Sequence, residues 1–337
     1  MTNTHFGIIG TGQIANVIAN AIQQASNAEL VAVSSRRLNT AKAFVAQFDG
    51  VTPVEGIAPL LANPIINILY IATPTVTKEA FALAGIRAGK HILIDKPLIN
   101  YASLKKMLDL AKQHQVLLMD ASHFVHHPRT QYIIEHLDTL VGKPQSLHTS
   151  FYSPIDDANN IRFNTTAEPM GAMGDMAWYS LRAIVEYLQP QGTIDQLTTK
   201  ASYDSHTGAI SRASGFISFT SGETSTFDVG YTCGSCAMDF HLLGANGMIT
   251  MNDFALDWHN SFAFHSATKA KFTHRVGLAT PDDFNIITQD SKKPAQTLMV
   301  EYLSNCIQIK SFASILKHQD HTLQTQRYLD AIWQTIK

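Results

Sequence analysis

The chain has 337 residues, 45 % hydrophobic and 15 % charged, with 25 Lys and Arg against 27 Asp and Glu for a formal charge of −2. That length suits two domains of about 150 residues, each able to bury its own core without disulfides or a structural metal. Nineteen glycines and 12 prolines exclude collagen-like and disordered classes, and the balanced charge excludes a surface built for nucleic acid.

Finer compositional signs agree. The charged fraction lies below the usual ~25 %, as if another subunit covered part of the surface. Three cysteines give no disulfide framework. Cys233-Gly234-Ser235-Cys236 has C-x-x-C spacing, yet it lacks a second pair and opens no helix, so it reads as two ordinary strand residues. No apolar run reaches the ~18 residues of a membrane span. The first Lys or Arg is Arg36, unlike the charged start of a signal peptide. A cytoplasmic protein with no membrane or nucleic-acid partner is expected.

In chain order, the apolar run Phe6-Gly7-Ile8-Ile9 is followed at once by Gly10-Thr11-Gly12-Gln13-Ile14-Ala15, and then by Val17, Ile18, Ala21 and Ile22 at helical spacing. Strand, Gly-rich turn and helix in succession are the context that gives G-x-G-x-x-A its meaning. Gly10 permits the tight turn and Gly12 lets a pyrophosphate approach the backbone. Ala15 is small enough for close helix–strand packing, and free N–H groups of the helix face the anion. No acidic residue precedes Glu29.

Leu30 to Ser34 reads as a second strand, and Thr40 to Phe48 as a helix. Ile68 to Ala72 is a buried strand, Val76 to Ala88 a helix, and His91 to Ile94 a strand. Ala102 to His114 is helical and Val116 to Met119 closes the series. Such alternation predicts a doubly wound parallel sheet over residues 1–122, with its ligand at the carboxyl ends of the strands. An NAD-selective site places Asp or Glu roughly 20 residues beyond the glycines. This chain has Ser34-Ser35-Arg36-Arg37 there, hydroxyls and guanidiniums suited to a 2′-phosphate. NADP is therefore the expected cofactor, with NAD as the alternative.

The grammar changes after Pro128. Leu147 to Tyr152, Leu197 to Tyr203, Ala213 to Thr220, Glu223 to Tyr231, Met238 to Leu243 and Gly247 to Asn252 read as strands joined by turns such as Ser221-Gly222 and Asn246-Gly247. A helix from about 172 to 188 places Asp175 and Tyr179 at i, i+4 on one face. Helices are expected near 295 to 315 and 320 to 336. Residues 123–337 are thus expected to form an α+β substrate-binding and oligomerisation domain on a large, mostly antiparallel open sheet. His123, His126 and His127 invite a metal reading, but no carboxylate stands at a persuasive spacing, and no metal is expected. His123, Tyr152 and Arg162 are candidate substrate contacts.

Ile71-Ala72-Thr73-Pro74 and Ala88-Gly89-Lys90-His91-Ile92-Leu93-Ile94-Asp95-Lys96-Pro97-Leu98, with Gly171-Ala172-Met173-Gly174-Asp175-Met176-Ala177-Trp178-Tyr179, resemble signatures of the Gfo/Idh/MocA oxidoreductases. The resemblance covers the first domain and the start of the second. It implies that Lys96, Asp175 and Tyr179 meet at a nicotinamide. It also implies that Thr73, Pro74, Thr75, Asp95 and Pro97 join Gly10, Thr11, Gly12, Gln13, Ile14, Ser35, Arg36 and Arg37 in binding the cofactor.

Tyr at position 179 is similar to xylose dehydrogenases and dihydrodiol dehydrogenases of that family. It implies hydride transfer between NADP and a sugar, polyol or dihydrodiol, with Tyr179 as acid/base. A free tyrosine titrates near ~10, and Lys96 is the group expected to favour the phenolate. A homodimer or homotetramer through the second sheet is likewise implied. Asp95 departs from the family's usual Glu, the glycine triplet is broken to Gly-Ala-Met-Gly, and Val125 replaces a frequent basic residue. Two alternatives stand beside this reading: a non-catalytic dinucleotide-binding regulator, and a glycosidase-like enzyme cycling bound NAD.

Overall fold

The computed structural model describes residues 3–262, 264–310 and 313–336. The chain forms two compact units, Met1–His123 with Lys293–Leu323, and Phe124–Lys292 with Gln324–Lys337. Positions 311 and 312, inside the first helix expected near the C-terminus, lie outside the described residues. No helix among the described residues is long and apolar enough to cross a membrane.

In the first unit β1 (Thr4–Ile9), β2 (Ala28–Ser35), β3 (Thr52–Glu55), β4 (Ile68–Ile71), β5 (His91–Ile94) and β6 (Leu118–Asp120) form one parallel sheet in the order β3-β2-β1-β4-β5-β6. They alternate with α1 (Gln13–Gln24), α2 (Leu38–Val45), α3 (Ala58–Ala62), α4 (Thr75–Arg87) and α5 (Tyr101–Gln113). Strand order reverses between β1 and β4, so the loops beyond those two strands open the crevice where such sheets bind ligands. The expected doubly wound sheet is present. Strand β3 had no sequence signal: it has four residues, is half-exposed and contains Pro53.

Phe6, Ile8, Ile18, Ile22, Ile68 and Leu93 fill the core, and Met299, Val300 and Leu303 of the helix Ala295–Gln308 complete it. Asp120, fully buried at the end of β6, accepts from Ser122, from Thr322 and from His318 Nε2 at 2.7 Å. The C-terminal segment is thereby tied into the first unit.

The second unit opens with α6 (Pro128–Glu135) and α7 (Leu137–Leu140). Its strands are β7 (Pro144–Tyr152), β8 (Ile194–Tyr203), β9 (Ile210–Phe219), β10 (Thr224–Gly230), β11 (Phe240–Gly244), β12 (Met248–Met251), β13 (Lys271–Arg275) and β14 (Asn285–Thr288). They form one sheet in the order β14-β13-β12-β11-β7-β10-β9-β8, antiparallel except for the β7–β10 pair. The mostly antiparallel sheet is as expected, with two further strands, β13 and β14, on one edge.

Helix α8 (Gly171–Ala183) lies on β7, β9 and β10 and runs on as a π-turn, Ile184–Leu188. Buried Arg182 and Glu186, an i, i+4 pair at 2.7 Å, compensate each other inside this layer. The opposite face carries one register row of Thr198, Phe216, Thr226, His148, His241, Thr250, Thr273 and Ile286, without a Lys, Arg, Asp or Glu. Cys233 and Cys236 are not strand residues. Strand β10 ends at Gly230, and both thiols lie in the bend before β11, where burial raises them, Cys236 to about 11.

Candidate active site

The Gly-rich turn contains two glycines that are there for different reasons. Gly10 sits at φ +117°, and a Cβ on it would stand 2.5 Å from the carbonyl oxygen of Ala72. Its N–H donates to the Ser34 carbonyl at 3.0 Å. The fold itself requires this glycine. Gly12 is the N-cap of α1 at φ −81°, and a Cβ there would meet nothing within 4 Å. Among the described residues nothing demands a glycine at this position. Open space lies over a helix N-terminus whose first turn carries no acidic side chain, which is what a pyrophosphate needs.

At the end of β2, Ser34 is buried and its hydroxyl donates to the Gly56 carbonyl at 2.7 Å, so it serves the fold. Ser35 is half-buried, while Arg36 and Arg37 are exposed, and Arg37 leads into α2. One carboxylate escaped the sequence reading. Glu55 pairs with Ser35 in register and accepts from the N–H of Leu38 at 3.0 Å, fixing the first turn of α2. It arrives from β3, which the sequence did not announce.

Beyond β4, Pro74 caps α4, and Thr75 is buried. Thr77 Oγ1 bonds Thr73 Oγ1 at 3.0 Å and the Pro74 carbonyl at 2.8 Å. Beyond β5, Asp95 accepts from the Tyr70 hydroxyl at 3.4 Å, and Lys96 and Pro97 are joined by a cis bond. The carbonyls of Lys96 and Pro97 accept from the ammonium of Lys78. Loops bearing the candidate cofactor residues of the first unit thus leave the carboxyl ends of β1, β2, β4 and β5.

In the second unit α8 begins at Gly171, at φ +46°, where a Cβ would press to 2.4 Å on the Ile210 carbonyl oxygen. One turn on, the Asp175 carboxylate is only 17 % exposed and accepts through Oδ2 from Arg162 Nε at 2.6 Å and the Tyr231 hydroxyl at 3.1 Å. Burial, and next the Asp175 charge, hold the Tyr231 hydroxyl well above the ordinary tyrosine range, so it stays a donor. Tyr231 was not singled out from the sequence; its signal is an aromatic immediately past the end of a buried strand. Tyr179, one turn beyond Asp175, is 6 % exposed and packs on Phe151 and Phe124 at ring separations of 5.2 and 5.9 Å.

Tyr152 accepts at 3.0 Å from Arg212, and burial raises it to about 12. His123 is buried in the short 3-10 turn His123–His126. His127 caps α6 by accepting from the N–H of Arg129 at 3.0 Å, and burial lowers it to about 4. Among the described residues no group of three or more His, Cys, Asp or Glu side chains could hold a metal ion.

Residues 4–122 match the model of an oxidoreductase family with an NAD-binding Rossmann fold. That match spans about a third of the chain, and over it the sequence is similar to the Gfo/Idh/MocA oxidoreductases. It is similar to the dTDP-3,4-didehydro-2,6-dideoxy-alpha-D-glucose 3-reductase of Actinomadura kijaniata, with 32 % identity over 52 % of this chain and 54 % of the relative. It is also similar to D-xylose 1-dehydrogenase (NADP(+)) 2 of Haloferax volcanii, with 28 % identity over 66 % and 69 % of the two chains. The chain spans about half the length of the first curated relatives it matches. Among solved structures, the 3-ketoreductase KijD10 of Actinomadura kijaniata, in complex with NADP and TDP-benzene, superposes with a TM-score of 0.86 at 20 % identity. That match covers 99 % of this chain and 98 % of the other. At that identity the likeness is one of fold.

Proposed function

We propose that the protein is an NADP-dependent oxidoreductase acting on a CH–OH or ketone carbon of a sugar, polyol or dihydrodiol. The unit built on residues 1–122, with the returning segment Lys293–Leu323, holds the dinucleotide, and the second unit binds the substrate and a second subunit. The observation that carries this reading is Gly12, a glycine at the bare N-terminus of α1 with open space where its side chain would be. When bound, the nicotinamide supplies the hydride chemistry. The chain supplies orientation and the proton.

Thr11, Gln13 and Ile14, around the N-terminus of α1, bind the pyrophosphate through backbone N–H groups. Arg36 and Arg37, with Ser35, take the 2′-phosphate through charge-assisted bonds. Thr73, Pro74, Thr75, Asp95 and Pro97 border the dinucleotide beyond β4 and β5. Tyr179 exchanges a proton with the substrate oxygen, and Lys96 stabilises negative charge on that oxygen and on the tyrosine. Asp175, its Oδ2 fixed by Arg162 and Tyr231, presents its carboxylate to a substrate hydroxyl. His123 and Tyr152 are kept as substrate contacts. NADP dependence is supported by the xylose dehydrogenase relative and by the NADP-bound ketoreductase of the same fold.

The uncharged row across the open face of the second sheet supports a homodimer or homotetramer formed through that face. The test of activity is a screen with NADP and NAD in parallel over aldoses, polyols and trans-dihydrodiols, with NADPH oxidation by keto-sugars as the reverse arm. Turnover with NADP in any arm is the expected result. Tight NADP binding without turnover in every arm would leave the non-catalytic regulator as the better reading.

A further inference from the structure

Lys78 lies on the buried stripe of α4 with Thr75, Ala82, Gly85 and Ile86, and is 3 % exposed. Its ammonium donates to the Lys96 carbonyl at 3.0 Å and to the Pro97 carbonyl at 2.9 Å. A buried ammonium is costly unless it is hydrogen-bonded, and an apolar side chain would serve this stripe without that cost. The two carbonyls lie beyond the last β4–β5 ladder pair, Ile71 and Ile94, so the sheet does not hold them. Thr77, the preceding residue, ties Thr73 and Pro74 in the same way. Consecutive residues of one helix thus fasten the loops beyond two neighbouring strands.

The first unit contains its own control. Lys90 is also buried, and its ammonium also donates to two carbonyls, those of Asn63 and Ile66, each at 2.7 Å. It does so ahead of β4, at the amino ends of the strands, away from the loops assigned to the cofactor. The same chemistry occurs at both ends of the sheet, and only one end bears the candidate site.

We infer that Lys78 is a positioning residue for Lys96: it sets the backbone from which the Lys96 side chain reaches the reacting groups. The inference rests on the oxidoreductase reading, in which Lys96 acts on the substrate oxygen. Lys78→Met, Lys78→Arg and Lys90→Met in the full chain test it by two measurements, hydrogen exchange of segment 94–99 by mass spectrometry and steady-state kinetics.

In Lys78→Met, exchange in that segment is expected to rise about tenfold. The same variant should lose roughly 10- to 100-fold in kcat, the scale of a small misplacement of a reacting group, with KM for NADPH held within about threefold. Lys78→Arg, which can still donate to both carbonyls, recovers most of both effects. Lys90→Met lowers thermal stability but leaves kcat and segment 94–99 unchanged. Should Lys78→Met not fold, Lys78→Gln, a shorter donor, is read in the same way.

Unchanged exchange, or wild-type kcat in the folded variant, overturns the inference. So does an equal kcat loss in Lys90→Met, which would make the effect one of general stability. A wild-type protein without turnover on any substrate overturns the oxidoreductase reading first and the catalytic role of Lys78 with it. Altered exchange in Lys78→Met would then remain as a purely structural tether.

Discussion

Substitutions at Gly10 and Gly12 separate a glycine needed by the fold from a glycine needed by a ligand. Alanine at Gly10 must accept φ +117° and a Cβ 2.5 Å from a carbonyl oxygen. Backbone strain of ~1–3 kcal/mol and a similar overpacking cost give roughly 2–6 kcal/mol of destabilisation. At about 2–4 °C per kcal/mol for a unit of this size, the melting temperature should fall by roughly 4–24 °C. Valine at Gly12 meets ordinary φ and empty space, so stability should change by no more than ~1 kcal/mol, the usual cost of losing a good N-cap residue. The same side chain would stand in the pyrophosphate path. Wild-type protein at 100 times its Kd for NADPH gains ~2.7 kcal/mol, a rise of roughly 5–10 °C, and folded Gly12→Val should gain almost none. Differential scanning calorimetry with and without NADPH, paired with fluorescence titration, reads both effects. A folded Gly12→Val protein with wild-type affinity for NADPH would refute the argument, as would Gly10→Ala melting with the wild type.

Three further outcomes are expected. Removing both guanidiniums in Arg36→Ala/Arg37→Ala should weaken NADPH binding by roughly 10²- to 10⁴-fold, from two charge-assisted bonds at ~1.5–3 kcal/mol each, and leave NADH nearly unaffected; a wild type that binds both equally would count against it. Tyr179→Phe should lower turnover by ~10²- to 10⁴-fold with NADPH binding intact, and Lys96→Met/Tyr179→Phe should be little worse than the poorer single variant; near-normal turnover in Tyr179→Phe would move the proton to Lys96 or His123. Because burial holds His127 down to about 4, between pH 6.5 and 4 the unfolded chain binds a proton that the folded site refuses, and stability should fall on acidification by up to about 3 kcal/mol. Urea midpoints measured from pH 7 to 4 should be flatter in His127→Asn, which keeps an N-cap side chain; His91, also lowered to about 4 by burial, acts in the same direction in the other unit.

What could be read from the sequence was whatever several local signals repeated. The β1–turn–α1 segment combines an apolar run, a glycine pair and helical periodicity, and each points to the same element. The strands from β7 to β12 were visible because alternation was bounded by turn residues, although their limits moved by a few positions. Strands β13 and β14 were missed because Lys271–Arg275 and Asn285–Thr288 are short edge strands with mixed exposure. Losing β3 had a larger consequence, since Glu55, the carboxylate that fixes the turn after Arg36 and Arg37, went with it. Likewise, nothing local announces that Lys293–Leu323 returns to the first unit, because His318 and Thr322 find Asp120 only across some 200 residues of chain.

Residue type and burial together still do not assign a role; what the residue meets in space does. Lys78 and Lys90 are both buried and both bond two carbonyls, and Gly10 and Gly12 are neighbours in one motif, yet within each pair the two residues answer different demands. A parallel sheet with helical crossovers gathers its adaptable loops at the carboxyl ends of its strands and leaves the amino ends to hold the fold. Position at the carboxyl ends is not sufficient by itself, since Ser34 and Asp120 are buried there and serve the fold. What sets Lys78 apart is the pair of carbonyls it meets, in the loop that carries Lys96. A lysine on the apolar stripe of a helix is normally a conflict between pattern and residue, and here its ammonium holds loop backbone that an apolar side chain would leave without that donor.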